Sequence, residues 1–160
     1  MTQNRLLIAN RGEIALRIIR SAKEMGLHTI AVYSDVDADS LHVKRADESY
    51  YLGGSLPAES YRNIKNLMKA VVETNADLVH PGYGFLSENA IFAKRCQEAG
   101  IVFIGPSPNA IELMGDKMKA RALVQERGIP FPPGLVEPIH PKDNIEKIAN
   151  EIGVRCTALS

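Results

Sequence analysis

Short apolar runs alternate along this chain with segments in which apolar residues recur at helical spacing. The runs "RLLIA" (5–9) and "HTIAVYS" (28–34) predict two buried strands. Between them the spacing predicts an amphipathic helix over 13–25, with Gly26 as its C-cap. Its apolar face carries Ile14, Ala15, Ile18, Ile19, Ala22 and Met25. A strand, a helix and a strand with short connections predict a parallel pair joined by a right-handed crossover.

The same alternation continues downstream and sets the fold class. The polar segment 35–48 predicts a loop with a short helix. Further strands are predicted at 49–53, 76–80 and 101–105, and further helices at 61–75, 87–99, 109–115, 117–127 and 141–151. Strands that alternate with helices predict an α/β fold, a Rossmann-like open parallel sheet of about five strands flanked by helices.

Three prolines divide the chain into two unequal parts. Pro130, Pro132 and Pro133 rule out regular structure over 128–134, since proline fixes φ and removes a donor. Residues 1–134 are therefore predicted to form one α/β domain, and residues 135–160 a helix and the truncated start of another region. A domain rarely ends on a lone helix, so the chain is expected to be a fragment.

Composition excludes several classes of function. The 19 basic and 19 acidic residues cancel, which argues against nucleic acid or an anionic membrane as partner. No apolar run approaches the ~18–20 residues that a membrane span needs. Cys96 and Cys156 have no metal-binding spacing, and no secretory signal is visible at the N-terminus, so a cytoplasmic location is expected.

Two ligand-binding patterns are present only in part. "ANRGEIALR" follows the first strand and Asp35 follows the second, as in dinucleotide-binding folds, but the turn has Gly12 alone where the fingerprint needs three glycines. "DVDADS" resembles the start of an EF-hand loop. Ser40 and Ala46 stand where that loop needs Gly and Glu, so neither a dinucleotide nor calcium is predicted.

Metal and nucleophile patterns are also missing. The four histidines lie far apart in sequence without ligand spacing. They are His28, His42, His80 and His140. Ser87 lies in "FLSEN" rather than in a G-x-S-x-G elbow, so nucleophilic catalysis is not predicted.

The segment "VHPGYGFLSEN" (79–89) lies at the carboxyl end of a predicted strand, where α/β sheets usually bind ligands. Gly82 and Gly84 permit a positive φ or close approach. If the segment is extended, Tyr83 and Phe85 point the same way, because they are two residues apart.

The rest of this segment leaves two interpretations open. Ser87 could cap the next helix and Glu88 could complement its dipole. A Walker A loop is excluded, since no G-K-[ST] follows. From the residues alone, 79–89 is either a binding loop or a structural turn.

Several longer strings together resemble the N-terminal domain of biotin carboxylase, the ATP-grasp component of biotin-dependent carboxylases. They run in the family's order from about residue 4 to residue 153. The strings are "IANRGEIALRIIR" (8–20), "HVKRADE" (42–48), "VHPGYGFLSENAIFA" (79–93), "FIGPSPNAI" (103–111), "MGDKMKAR" (114–121) and "GIPFPPG" (128–134).

The resemblance implies a fold, a reaction and partners. The fold would be the pre-ATP-grasp, Rossmann-like sheet. The reaction would use ATP and Mg²⁺ to activate bicarbonate and then carboxylate biotin on a carrier protein. Partners would be the rest of biotin carboxylase, the biotin carboxyl carrier protein and the carboxyltransferase, with a possible homodimer.

Site residues follow position by position from the same resemblance. Lys117 matches a lysine that contacts nucleotide phosphate. Tyr83, Gly84 and Glu88 match the loop on the biotin and bicarbonate side of the cleft. Arg20 and Glu24 match the homodimer interface, although an exposed i,i+4 pair on one helix explains them equally well.

The tail departs from the family pattern. After "EIG" the chain reads "VRCTALS", with no lysine after Lys147 and without the family's glycine-rich lid or metal-binding acids. The chain alone is therefore expected to be inactive, with no catalytic or metal residues of its own. Two alternatives remain: the N-terminal domain of another ATP-grasp ligase, such as one like carbamoyl-phosphate synthetase, or a non-catalytic dimerisation or regulatory module.

Overall fold

A computed structural model describes residues 4–130 and 145–153. Over these residues five parallel strands form one sheet. The strands are β1 (Arg5–Ile8), β2 (His28–Ser34), β3 (Glu48–Gly53), β4 (Leu78–His80) and β5 (Val102–Phe103). Their order across the sheet is β3-β2-β1-β4-β5. The predicted α/β class and open parallel sheet are confirmed.

Seven α-helices lie within the described residues. They are α1 (Gly12–Glu24), α2 (Leu41–Arg45), α3 (Ile64–Glu73), α4 (Ala90–Glu98), α5 (Pro108–Gly115), α6 (Lys117–Glu126) and α7 (Ile145–Ile152). A 3₁₀ turn at Asp35–Asp37 and α2 together form the predicted loop with a short helix. None of the described helices is both long and apolar enough to cross a bilayer.

The sheet buries a separate apolar cluster on each face, because successive strand side chains point to opposite sides. Leu6 and Ile8 of β1 pack against α1, in a cluster with Ala15, Ile19 and Ala22. Leu7 lies between them in sequence but belongs to a larger cluster on the other face. That cluster includes Val32, Leu67, Val71, Val79, Phe92 and Cys96, so α3 and α4 cover this side.

The chain divides into two compact units, residues 1–111 and residues 112–160. All five strands belong to the first unit, and α6 and α7 belong to the second. The boundary predicted at residue 134 lies in 131–144, outside the described residues, so it stays a prediction.

Two helices begin later than the periodicity predicts. The helix expected from residue 61 begins at Ile64, because Asn63 caps it by accepting a hydrogen bond from the Asn66 amide. The helix expected from residue 87 begins at Ala90, because Asn89 caps it in the same way. In both cases the residues before the cap form turns. At α3 the apolar side chain of Tyr61 continues the pattern without being helical.

Candidate functional site

The candidate site lies where β1 and β4 run side by side. After β1 the chain continues to β2 and β3 on one side of this pair, and after β4 it continues to β5 on the other side. The connections that follow β1 and β4 therefore run in opposite directions across the sheet. Such a reversal opens a crevice at the carboxyl ends of the strands, where open α/β sheets bind ligands. The crevice here is bounded by the turn after β1, residues 10–12, which ends at the first residue of α1, and by residues 81–86 after β4. We call the latter segment the β4 loop.

Asn10 joins the two sides of this crevice. Its buried side-chain amide donates to the carbonyl oxygens of Pro81 and Tyr83, at 2.8 and 2.9 Å. The backbone amide of Ala9 donates a hydrogen bond to the His80 carbonyl at 2.9 Å. The side-chain bonds of Asn10 therefore come directly after the last backbone hydrogen bond between the two strands. The turn after β1 and the β4 loop are therefore held together.

The β4 loop is curled rather than extended. Gly82, Gly84 and Phe85 have φ angles of 67°, 70° and 44°. Because of this curl, Tyr83 and Phe85 do not share a direction: Tyr83 is 67% exposed, whereas Phe85 packs against the core. The expectation that both aromatic rings face one way depended on an extended segment and is wrong.

A ring cluster holds Phe85 in its unusual backbone conformation. Its ring stacks on the buried ring of Tyr61, with centroids 5.2 Å apart. The Arg11 guanidinium lies 5.5 Å from the Tyr61 centroid and 5.6 Å from that of Phe85. A positive φ in a bulky residue costs on the order of 1–3 kcal/mol and persists only where packing enforces it. The cluster supplies that packing.

Asp37 connects this cluster to the end of β2. Its Oδ2 accepts hydrogen bonds from the hydroxyls of Tyr61 and Ser34, at 2.7 and 2.8 Å, and lies 3.5 Å from Arg11. Burial by itself raises the pKa of Asp37, but these hydrogen bonds and the Arg11 charge outweigh burial and leave the pKa lowered. Burial first, and then the bond to Asp37, raise the pKa of Tyr61. Asp37 is thus ionised and Tyr61 neutral at pH 7.

Two histidines lie near the carboxyl ends of the strands: His80, which is half-buried, and His42, which is buried. His80 accepts a hydrogen bond from the Gly82 amide at its Nδ1, at 3.0 Å, and burial lowers its pKa. His42 is buried and contacts Gly12 of the turn after β1. Neither is near a set of metal ligands: within 4–130 and 145–153 no three His, Cys, Asp or Glu side chains come together as a metal site would need.

The start of α4 differs from the prediction at two residues. Asn89 is the N-cap, and its side chain accepts a hydrogen bond from the Phe92 amide at 2.9 Å. Ser87 instead belongs to a turn, in which its amide donates to the Gly84 carbonyl at 2.9 Å. Glu88 precedes the cap and is exposed, so α4 has no acidic residue in its first turn. The capping role expected of Ser87, and the dipole role expected of Glu88, are wrong.

Arg20 and Glu24 line a surface groove between α1 and α2. The groove has a volume of about 500 Å³ and also contacts Leu16, Leu41 and Arg45. Neither Arg20 nor Glu24 takes part in an ion pair of the described residues.

Lys117 is the first residue of α6, in the second compact unit. Asp116 caps this helix by accepting from the amides of Met118 and Lys119, at 2.9 and 3.1 Å. The Lys117 side chain is exposed at the helix start. Tyr83 and Gly84 lie exposed in the β4 loop, and Glu88 lies exposed just before the cap of α4. Arg20 and Glu24 line one groove.

Sequence reasoning missed the residues that bound the crevice and those that support its loop. Asn10, Arg11, Asp37 and Tyr61 were not among the candidate site residues. A local signal existed for Asn10 and Arg11, since both follow a buried strand at the edge where ligands bind. Tyr61 had no such signal, because it lies in what the pattern predicted to be an ordinary helix.

Comparison with known proteins gives one consistent result. The family model described as "Biotin carboxylase, N-terminal domain" matches residues 2–111. The biotin carboxylase of Nostoc sp. (strain PCC 7120) is 50% identical over 153 residues, which cover 96% of this chain and 34% of that protein.

Solved structures agree with the sequence matches. The biotin carboxylase domain of a single-chain bacterial carboxylase superposes with a TM-score of 0.86 at 45% identity, over 93% of this chain and 34% of that one. The biotin carboxylase domain of the 2-oxoglutarate carboxylase of Hydrogenobacter thermophilus, a dimer in complex with MgADP and bicarbonate, gives a TM-score of 0.84 at 43% identity. This superposition covers 94% of this chain and 33% of the Hydrogenobacter chain. The chain spans about a third of these biotin carboxylases.

Proposed function

The chain belongs to the biotin carboxylase N-terminal domain family, and we propose that it supplies the biotin-side wall of an ATP-dependent biotin carboxylase. In such an enzyme MgATP activates bicarbonate, and the ureido nitrogen of biotin then accepts the carboxyl group. The chain would act together with the later two thirds of the carboxylase, where most groups that handle phosphate and metal belong.

One observation carries the proposal: Tyr83 is exposed at the tip of a loop whose backbone is held from several sides. Asn10 binds its carbonyl oxygen, and Phe85 packs into the ring cluster two residues later. An exposed aromatic ring on a fixed loop at a sheet reversal suits the recognition of a small, partly apolar ring such as biotin. Gly84, next to it, has open space around its Cα, so a ligand could approach the backbone closely.

Lys117 is the residue of this chain that we propose for ATP. An exposed lysine is a flexible point charge suited to a phosphate oxygen. The described residues do not fit a magnesium site, because no cluster of three candidate ligands exists among them. We therefore assign no step to a metal on this chain.

The proposed partners follow from the same family. They are a biotin carboxyl carrier protein, a carboxyltransferase and a second copy of the carboxylase, which Arg20 and Glu24 would contact at the groove between α1 and α2. Location in the cytoplasm remains a prediction from the sequence.

A chimera tests the proposal. Residues 1–153 of this chain would replace the matching segment of the Nostoc biotin carboxylase, which is 50% identical. We expect ADP release that depends on both biotin and bicarbonate. The matched control is the Nostoc protein with that segment deleted, which should release none. A chimera that folds cooperatively but shows no biotin-dependent ADP release would contradict the proposal.

A second candidate function is a module that only dimerises. The groove lined by Arg20 and Glu24 favours it, because neither side chain takes part in an ion pair of the described residues and both could pair with a second copy. Sedimentation of the chain, with calorimetry against ATP, distinguishes the two functions. A dimer that binds no nucleotide, together with an inactive chimera, would support the module.

A further inference from the structure

The Asn10 side chain makes three hydrogen bonds at the crevice. Both protons of its amide nitrogen are donated to carbonyl oxygens of the β4 loop, those of Pro81 and Tyr83. Its oxygen accepts from the Arg11 amide at 2.9 Å, so the side chain cannot rotate without losing three bonds. The residue is completely buried, so an amide or carbonyl left without a partner there would be destabilising.

The β4 loop fits against Asn10 closely enough to require glycine. A Cβ atom at Gly82 would lie 2.6 Å from Nδ2 of Asn10 and 2.8 Å from Cγ2 of Ile14. Contacts under 3.0 Å demand that something move, and the φ of 67° already disfavours any side chain at this position. The loop backbone therefore lies directly on the Asn10 amide.

Asn10 also acts where main-chain pairing stops. The last ladder bond between the two strands joins the Ala9 amide to the His80 carbonyl. Beyond that bond the β4 loop curls away through positive φ angles at Gly82 and Gly84. The Asn10 side chain continues the connection for three more residues of the loop, as far as Tyr83.

We propose that Asn10 is a positioning residue, whose amide sets where the Tyr83–Gly84 backbone stands and thereby how Tyr83 meets biotin. The inference rests on the proposed function for the role of Tyr83, but its structural part concerns this chain alone. Asn10 itself touches no substrate, because it is buried beneath the loop. It acts through the two carbonyl oxygens that it holds.

The test is the variant Asn10→Leu in the chimera, since leucine has a similar volume but no donors. We expect the KM for biotin to rise about 10- to 100-fold, because small displacements of a positioning group cost this much. The KM for ATP, measured at saturating biotin, should change by less than about twofold.

A matched control exists within the domain. Asn66 also donates from Nδ2 to two carbonyl oxygens, those of Leu52 and Glu59, at 2.8 and 3.0 Å. Asn66→Leu removes the same kind of bonds away from the crevice and should lower the melting temperature without changing the KM for biotin. If Asn10→Leu alters the KM for biotin no more than Asn66→Leu does, the role is merely structural and the proposal is overturned. If Asn10→Leu does not fold, Gly82→Ala, which pushes the loop off the amide, is judged by the same criterion.

A second readout needs no activity. In the 160-residue chain, NMR hydrogen exchange should show faster exchange of the Gly82 and Ser87 amides in Asn10→Leu than in Asn66→Leu. Both amides are bonded within this segment, to His80 Nδ1 and to the Gly84 carbonyl. Unchanged exchange at these amides overturns the proposal, whether or not the chimera is active. An inactive wild-type chimera counts against the proposed function instead.

Discussion

At the scale of single residues, His42 illustrates how burial selects a protonation state. Its Nδ1 accepts a hydrogen bond from the Gly12 amide nitrogen at 3.3 Å, and its Nε2 lies 3.3 Å from the Val32 carbonyl oxygen. An amide can only donate and a carbonyl can only accept, so the proton lies on Nε2 and the ring is neutral. Burial lowers the pKa of His42, although the Val32 carbonyl and the Asp37 charge both favour the protonated form.

A pH dependence of stability follows from this lowered pKa. Near the ordinary histidine pKa of 6.5, the unfolded chain binds more protons than the folded chain. The stability that neutral His42 contributes to the folded chain is therefore complete above the ordinary pKa of 6.5 and is lost as the pH falls below it. Urea unfolding from about pH 7.5 to about pH 5.5 should show a falling free energy of unfolding.

The variant His42→Gln is the control for this pH dependence. It should flatten the curve only in part, since burial lowers the pKa of His80 too. A curve with the same slope in wild type and variant would contradict the account given for His42.

Lys117 gives a second prediction at this scale. In the chimera, Lys117→Ala should raise the KM for ATP about tenfold, the effect of losing one hydrogen bond to a charged group. The fold should not change, because the side chain is exposed. Lys119→Ala, at another exposed lysine of α6, is the matched control. Equal kinetic effects of the two substitutions would remove Lys117 from the ATP site.

At the scale of elements, the helix caps determine where each helix begins. Each of three caps accepts, at its side chain, a hydrogen bond from a backbone amide in the first turn of the helix that follows. The caps are Asn63, Asn89 and Asp116. Periodicity alone extended α3 backwards, because Tyr61 in the preceding turn is apolar, is buried and also packs into the core. At α4 the prediction began at Ser87, which lies in a turn, and Asn89 provides the cap instead.

The cap of α4 can be tested by two substitutions. Asn89→Ala should lower the free energy of unfolding by about 1 kcal/mol, the usual cost of losing a capping side chain. Ser87→Ala should change it by less than about 0.5 kcal/mol, since its side chain caps nothing. Urea denaturation of the chain measures both. The reverse order of effects would restore Ser87 as the cap.

At the scale of the whole molecule, the strand order determines which loops meet. β4 pairs with β1 although β2 and β3 come between them in sequence, so the turn after β1 faces the β4 loop. This chain spans about a third of the length of its biotin carboxylase relatives. Under the proposed function, the remaining part of the active site would belong to the other two thirds of the carboxylase.

The isolated chain should therefore not turn over ATP. Phosphoryl transfer depends on positioning and charge neutralisation, and Lys117 alone cannot provide both. ADP release, measured with biotin, bicarbonate and Mg²⁺ present, should stay at the level without protein, while the chimera serves as the positive control. Biotin-dependent release by the isolated chain that Lys117→Ala abolishes would contradict this.

The sequence by itself determined the elements and the fold class. Among the described residues, each strand and each helix other than α2 was predicted within a few residues, because period and turn chemistry are local properties of the chain. For α2 the prediction was only a short helix within 35–48. The glycines of the β4 loop and the polar residues after β1 were visible too. The resemblance to biotin carboxylase depended on contiguous strings, and the family match agrees with it.

Only the tertiary structure decided how the crevice is built. The bond from Asn10 to Pro81 joins residues 71 apart, and the bond from Tyr61 to Asp37 joins residues 24 apart. No local pattern records such pairs, since they form only when the sheet order brings distant strand ends together. The curl that separates Tyr83 from Phe85 has the same origin, because packing on Tyr61 and Arg11 enforces a backbone angle that Phe85 would not adopt alone.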